Sequence, residues 1–352
     1  MLRRLILVAL VLSAAALGLA WQWLQQGMAE SLNIPSQGYT LTVPSGGNLN
    51  QLAAQLEREG VLSTVWPLKV FARLNDRGRI RAGEYEFVAG VTVLGLLDKL
   101  ESGAIKYYQI TFPEGLTLGE WLALLRAREN IRQTPELDAL AVTTALGIQT
   151  GNHLDNQSDN QSDNPEGWFA PDTYSFAAGD SELSILRRAY QKMQSQLETL
   201  WPNRAPDLPY ETPYEALIMA SIIEKETGAV EERAAIAGVF VRRLQMGMRL
   251  QTDPTVIYGL GDDYTGNLRR KHLSSSSPYN TYRINGLPPT PIANPGAAAL
   301  VAALHPAEGK ALYFVARGDG GHYFSDNLAE HQRAVRQYQI NRRRKDYRSA
   351  PQ

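Results

Sequence analysis

Chemistry is most readily placed on the acidic side chains that close one apolar helix. The run Tyr214–Glu226 (YEALIMASIIEKE) is apolar on every side through its middle, as a helix inside a domain is. Glu226 follows Ile222 and Ile223 at i−4 and i−3 and Met219 at i−7, so these residues share one face. A carboxyl leaving the core in that setting loses hydration and its pKa rises. Such a group can act as a general acid near neutral pH. Glu224 has Ala220 and Ser221 at the same spacings, a smaller and more polar environment, and Lys225 points away from Glu226. On the helix alone, a terminal Glu hydrogen-bonded for structure is the commoner arrangement.

The segments around it change that balance. Gln251-Thr-Asp-Pro-Thr255 is a polar turn before the apolar run Val256-Ile-Tyr258, and Asp253 before Pro254 is a natural turn former. Ser277-Pro-Tyr-Asn-Thr-Tyr282 and Gly286–Gly296 make a long extended stretch dense in Pro, Tyr and Asn. Glu166–Tyr174 adds Trp168, Phe169 and Tyr174 beside Asp172. Together these supply aromatic faces for sugar rings and polar partners for sugar hydroxyls and N-acetyl groups, although each alone is ordinary turn chemistry. Long, proline-stiffened loops of this kind are binding loops.

Other chemistries are discounted. With 0 cysteines there are no disulfides, thiolate zinc sites, iron–sulfur clusters or cysteine nucleophiles. No HExxH helix exists, the five histidines are scattered, and no P-loop, GxGxxG or GxSxG motif is present. No metal or cofactor is expected. Lys plus Arg number 35 against 36 acidic residues, and a net charge of −1 disfavours nucleic acid as a partner.

These residues must be positioned by a chain of 352 residues, a length suited to about two domains. After Arg3 and Arg4, Leu5–Leu24 is apolar and uncharged. Twenty such residues span roughly 30 Å as a helix, the thickness of a bilayer core. The two arginines would hold the N-terminus in the cytoplasm and send the body to the far side. Trp21 and Trp23 sit where interfacial aromatics belong, and a cleaved signal peptide ending near Ala14–Ala16 is the competing reading.

The body contains a weak repeat. Tyr39–Leu49 (YTLTVPSGGNL) matches Tyr108–Leu118 (YQITFPEGLTL) at an offset of 69 residues. Each copy reads as a strand, a Pro-x-Gly turn and a helix, with Asn48 and Thr117 as N-caps. The pattern predicts helices near Leu49–Glu59, Thr64–Leu74, Val93–Leu100 and Leu118–Arg128, and a strand at Gly83–Val88. Further on it predicts helices Glu182–Leu200, Tyr214–Glu226, Glu231–Gln245 and Asn327–Arg344, and a hairpin of Ala311–Arg317 with Gly321–Phe324. DNQSDNQSDN within 151–165 reads as an exposed polar loop, and the basic run Arg342–Lys345 as a solvated helix end.

Ala220-Ser-Ile-Ile-Glu-Lys-Glu-Thr227, joined to Gly247-Met-Arg-Leu-Gln-Thr-Asp-Pro-Thr-Val-Ile-Tyr-Gly259, resembles the YceG-like family of endolytic murein transglycosylases. Glu166–Tyr174, Tyr279–Tyr282, Gly286–Pro289, Pro295-Gly296, Tyr313–Val315 and Gly321-His322 resemble it too, so the likeness covers nearly the whole chain. The polar loop is the main departure. The resemblance implies an α+β protein: a cytoplasmic stub and membrane anchor over 1–30, a LysM-like domain over 31–105, a mixed α/β catalytic domain over 106–345 and a tail over 346–352. It implies a single-pass inner-membrane enzyme with its body in the periplasm. That enzyme cuts the β-1,4 bond from N-acetylmuramic acid to N-acetylglucosamine in nascent strands, leaves a 1,6-anhydro end and limits strand length. Glu226, the second Glu of Glu-Lys-Glu, matches the catalytic position. Gln251, Asp253, Tyr258, Tyr279 and Asn280 are the candidate sugar contacts. Peptidoglycan strands are the expected substrate and peptidoglycan synthases the candidate partners. A binding scaffold without activity, and a hydrolase using Glu224 or Asp253 as a second carboxylate, are the rival readings.

Overall fold

The computed structural model describes residues 2–44, 46–148 and 164–341. Residues up to 163 of the expected polar loop, the basic run 342–345 and the tail therefore lie outside the described residues. The fold is mixed α+β, opening on an apolar helix. The chain divides into two compact units, one of Met1–Gln109 with Ser175–Asp180 and one of Ile110–Tyr174 with Ser181–Gln352.

In the first unit, α1 (Leu2–Ala29) is a single helix of 28 residues, long and apolar enough to cross a membrane. Only its last two turns are covered, where Leu24 and Met28 are buried. Gly27 lies against Pro67, and a Cβ there would come within 2.4 Å of the Pro67 Cγ, so only glycine allows the contact. Strands β1 (Tyr39–Val43) and β2 (Gly83–Phe87) pair antiparallel, Leu41 opposite Tyr85. Their alternation turns Leu41, Val43, Tyr85 and Phe87 into a core shared with α2 (Leu49–Arg58), α3 (Trp66–Leu74) and α4 (Val93–Ser102).

The boundary between the units falls within β3 (Tyr107–Thr111) and β4 (Thr173–Ala177), which pair with each other. Between them lie α5 (Leu118–Arg126) and α6 (Ala139–Leu146), and α7 (Glu182–Leu200) follows β4. The order strand, helix, helix, strand, helix thus occurs twice, extending the strand–turn–helix unit of the 69-residue repeat. Asn48 and Thr117 each cap their helix with the side chain, and Thr117 completes a capping box with Glu120. Gly46 and Gly115, one per copy, hold φ near +77° and +78°, a turn conformation glycine adopts without strain.

The rest of the second unit is helical around α8 (Pro213–Glu226), which packs against α9 (Arg233–Gln245) and α12 (Ala297–Leu304). Leu217, Met219, Ala220, Ile222 and Ile223 of α8 have no exposed surface. α10 (Asp253–Leu260) and α11 (Arg270–Leu273) lie between α9 and α12. β5 (Tyr313–Ala316) and β6 (His322–Ser325) form the expected hairpin, and α13 (Leu328–Val335) follows them. Two expectations differ from what is found. The last helix passes into a π-helical turn at Arg336–Asn341 instead of continuing, and the polar turn at Gln251–Thr255 is the start of α10, with Pro254 in its first turn.

Candidate active site

A capping box of Thr212 and Glu215 with Pro213 starts α8. The helix crosses the core and surfaces at Glu224-Lys225-Glu226, whose side chains go three ways. Glu224, 5 % exposed, accepts from Arg233 Nη2 at 2.8 Å and from the Gly296 N–H at 2.9 Å. Arg233 also reaches Glu114 at 3.1 Å. Lys225 Nζ donates to the Gly115 carbonyl at 3.0 Å. Glu226 is half-buried and accepts a hydrogen bond from the Thr252 hydroxyl.

Among the described residues no cation lies within ion-pair distance of Glu226. Burial pushes its carboxyl up to about 7, Thr252 opposes the rise, the Asp253 charge adds to it, and Arg243 draws it back. Arg243 is itself buried, its guanidinium held by the carbonyls of Leu312 at 2.7 Å and Leu250 at 2.8 Å. Glu224 also lies above the usual carboxylate range because it is buried, with Gly296 and Arg233 limiting the rise. The polar setting of Glu224 is supplied less by Ser221 on its own helix than by Arg233 and Gly296, which come from other elements and enclose it.

The expected sugar contacts fall into three groups. Asp253 is exposed near Glu226 and accepts from the Tyr282 hydroxyl at 2.7 Å. Gln251 is exposed, with φ of +54°, a left-handed conformation costly for a side chain with a Cβ. Tyr258 and Tyr279 meet edge to face, ring centroids 5.0 Å apart. Gly259 permits this approach, since a Cβ there would sit 2.9 Å from that of Tyr279. The Tyr258 hydroxyl takes Asn164 at 2.9 Å and lies 3.4 Å from Glu166 Oε2, while that of Tyr279 pairs with Thr290 at 2.8 Å. Asn280 has no exposed surface, and its amide bonds the Ser275 carbonyl at 2.8 Å and that of Leu273 at 3.2 Å. That leaves Asn280 a part in holding the loop, not in touching a sugar.

Residues 41–337 match the YceG-like family. The chain belongs to that family. A Bacillus subtilis (strain 168) protein named endolytic murein transglycosylase is 31% identical over 305 residues, 85% of this chain and 84% of that protein. A Streptococcus pneumoniae (strain D39) protein of the same name is 25% identical over 322 residues, and the match covers 85% of this chain but 58% of that longer protein. A crystal structure of a YceG-like protein from Listeria monocytogenes shares 28% identity at a TM-score of 0.53, over 85% of this chain and 99% of that one.

In this YceG-like chain several residues at the site carry no mark in the sequence reading. Thr252 and Tyr282 lie within the Gln251–Thr255 and Ser277–Tyr282 segments but carry no chemistry of their own in the sequence, and Arg243 is one of two arginines at the end of α9. Glu166 is a second carboxyl raised to about 7 by burial, opposed by the Leu118 and Gly167 N–H groups and the Tyr258 hydroxyl. Leu118 N–H reaches it at 2.9 Å and Asn294 Nδ2 at 3.3 Å, so it ties loops together. In the sequence Glu166 is marked only by opening the aromatic-rich segment Glu166–Tyr174.

Proposed function

We propose that this YceG-like chain is an endolytic murein lytic transglycosylase in which Glu226 is the sole acid and base. As a member of its family it is an enzyme of the lyase class. The finer reading is that it breaks the N-acetylmuramic acid to N-acetylglucosamine β-1,4 bond inside nascent strands and ends their elongation. One observation carries it: Glu226 surfaces from an apolar helix with a hydroxyl partner and, among the described residues, no cation within ion-pair distance, so its proton is available near neutral pH.

The chemistry needs one carboxyl used twice. Protonated Glu226 donates to the glycosidic oxygen as the bond from the muramyl anomeric carbon to that oxygen breaks. The carboxylate left behind takes the proton of the muramyl 6-hydroxyl, whose oxygen closes onto the anomeric carbon. Glu226 is restored and no water is consumed. Ordinary glycosidases use a second carboxylate as nucleophile or base, a role the internal hydroxyl takes here with a large orientation advantage. Glu224 is poorly suited to be that second group because Arg233 and Gly296 hold it. In this reading Asp253 faces the developing positive charge, Gln251 reaches the sugar from the turn, and the Tyr258–Tyr279 pair offers ring surface. Asn280 acts through the loop it ties.

The same proposal assigns α1 as a single-pass anchor in the inner membrane, residues 31–105 as a LysM-like domain and 106–345 as the catalytic domain, with the body in the periplasm. The test is mass spectrometry of un-crosslinked glycan after digestion by the full chain. Internal cuts giving muramyl ends one water lighter than hydrolysis products are expected. Reducing ends mean a two-carboxylate hydrolase with Asp253 as partner, and intact strands mean a scaffold; either result overturns the reading.

A further inference from the structure

We propose that Thr252 is the positioning residue for Glu226: a closed ring of threonines fixes its hydroxyl against one carboxylate oxygen, leaving the other oxygen to present the proton. This rests on Glu226 being the acid.

Three features of the structure support it. The first is that Thr252 forgoes the usual duty of its position. It is the N-cap of α10, in extended conformation, yet its side chain makes no capping bond. The threonine caps of α4, α5 and α8 (Thr92, Thr117 and Thr212) each accept from the third N–H of their helix, as such caps do. The Thr252 hydroxyl turns instead to Oε1 of Glu226.

The second is how fully the rest of Thr252 is held. Its N–H donates to the Thr281 hydroxyl at 3.0 Å. The Thr255 hydroxyl donates to its carbonyl at 2.8 Å, and the Thr255 and Thr281 hydroxyls are 2.8 Å apart. The Thr281 hydroxyl also reaches the Thr252 carbonyl at 3.3 Å, so the Thr255 and Thr281 hydroxyls share that carbonyl and each other while Thr281 accepts from the Thr252 N–H. All three threonines are buried, Thr252 at 2 % exposure and the other two at none. Their hydroxyls are satisfied among themselves, and only that of Thr252 is aimed outward, at the acid.

The third is the backbone leading in. Gln251 holds its left-handed φ of +54° just before Thr252, and its N–H is bound by the Thr281 carbonyl at 3.1 Å. Strained backbone kept in place by its surroundings is typical of residues that set up a site. A hydroxyl can donate but cannot carry the acid's proton at neutral pH. With Oε1 engaged as acceptor, the proton resides on Oε2, and after delivery the same bond stabilises the carboxylate.

The experiment compares Thr252→Val, Thr252→Ser and Glu226→Gln in the full chain in detergent, following anhydro-end formation on un-crosslinked glycan against pH. Without the hydroxyl the carboxylate loses a donor. In Thr252→Val the high-pH limb of kcat should therefore move upward by about one pH unit, kcat at its optimum should fall at least about tenfold, and KM should change little. Thr252→Ser should put the limb back at its wild-type position. An unshifted limb in Thr252→Val, or the same defect in Val and Ser, overturns the proposal. If circular dichroism shows the Val variant unfolded, Thr252→Ala against Thr252→Ser gives the same decision. Glu226→Gln separates the two readings. Inactive Gln with an unshifted Val limb sinks Thr252 alone, while fully active Gln removes the acid and this proposal with it.

Discussion

Two carboxylate pockets lie two residues apart at the end of α8. On one side Glu224 is closed in by a buried arginine, a backbone N–H and the loop at Gly296. On the other side the half-buried Glu226 meets a threonine hydroxyl and, at longer range, the opposing fields of Asp253 and Arg243. Burial raises both groups. What separates them is the partner: a guanidinium locks a carboxylate in place, whereas a hydroxyl leaves the proton free to go and return. The difference teaches that desolvation makes an acid only where no cation compensates it.

The sharpest way to break the comparison is to remove the proton. Glu226→Gln is expected to lower anhydro-end formation by about 10³-fold or more with the fold intact, measured by product mass spectrometry beside circular dichroism. The Glu224 side should respond in stability instead. Arg233→Met strands the buried Glu224 charge and should cost about 3–5 kcal/mol in denaturant unfolding, and a loss below 1 kcal/mol would remove the distinction drawn here.

A third test uses the pH dependence of stability. Folded Glu226 binds its proton more tightly than the unfolded chain does, about 7 against an ordinary 4.5. Below pH 4.5 both states are protonated and nothing is lost. Between the two values the unfolded state binds fewer protons, so stability falls as pH rises and levels off above about 7. Glu226→Gln lacks this loss and should gain about 1–3 kcal/mol over the wild type at pH 8, with no such gain at pH 4. The smallest expected shift is that of the pH profile in Asp253→Asn. Removing a charge that raises Glu226 should move the high-pH limb of activity down by a few tenths of a unit, opposite in direction to Thr252→Val.

Much of the frame was readable along the chain. The strand–turn–helix repeat, its glycine turns and the caps Asn48 and Thr117 depend on neighbours a few residues away, and α7 spans the residues its periodicity predicts. The apolar face under Glu226 was equally local. The rest was decided where separate segments meet. The local sequence gives Glu224 only Ala220 and Ser221 as neighbours, places Asn280 among the expected sugar contacts, and carries no sign of the Thr252 bond to Glu226. The partners of these residues come from Arg233, Ser275 and Thr281.

The order of residues alone decided which helix carries the acids, where the chain turns, and that one terminal helix suits a bilayer, because periodicity, capping and hydration act within a few residues. Only the folded arrangement decided which of two neighbouring glutamates meets a cation and which a hydroxyl. Both partners are brought in from other elements of the fold, and short-range patterns carry no record of it.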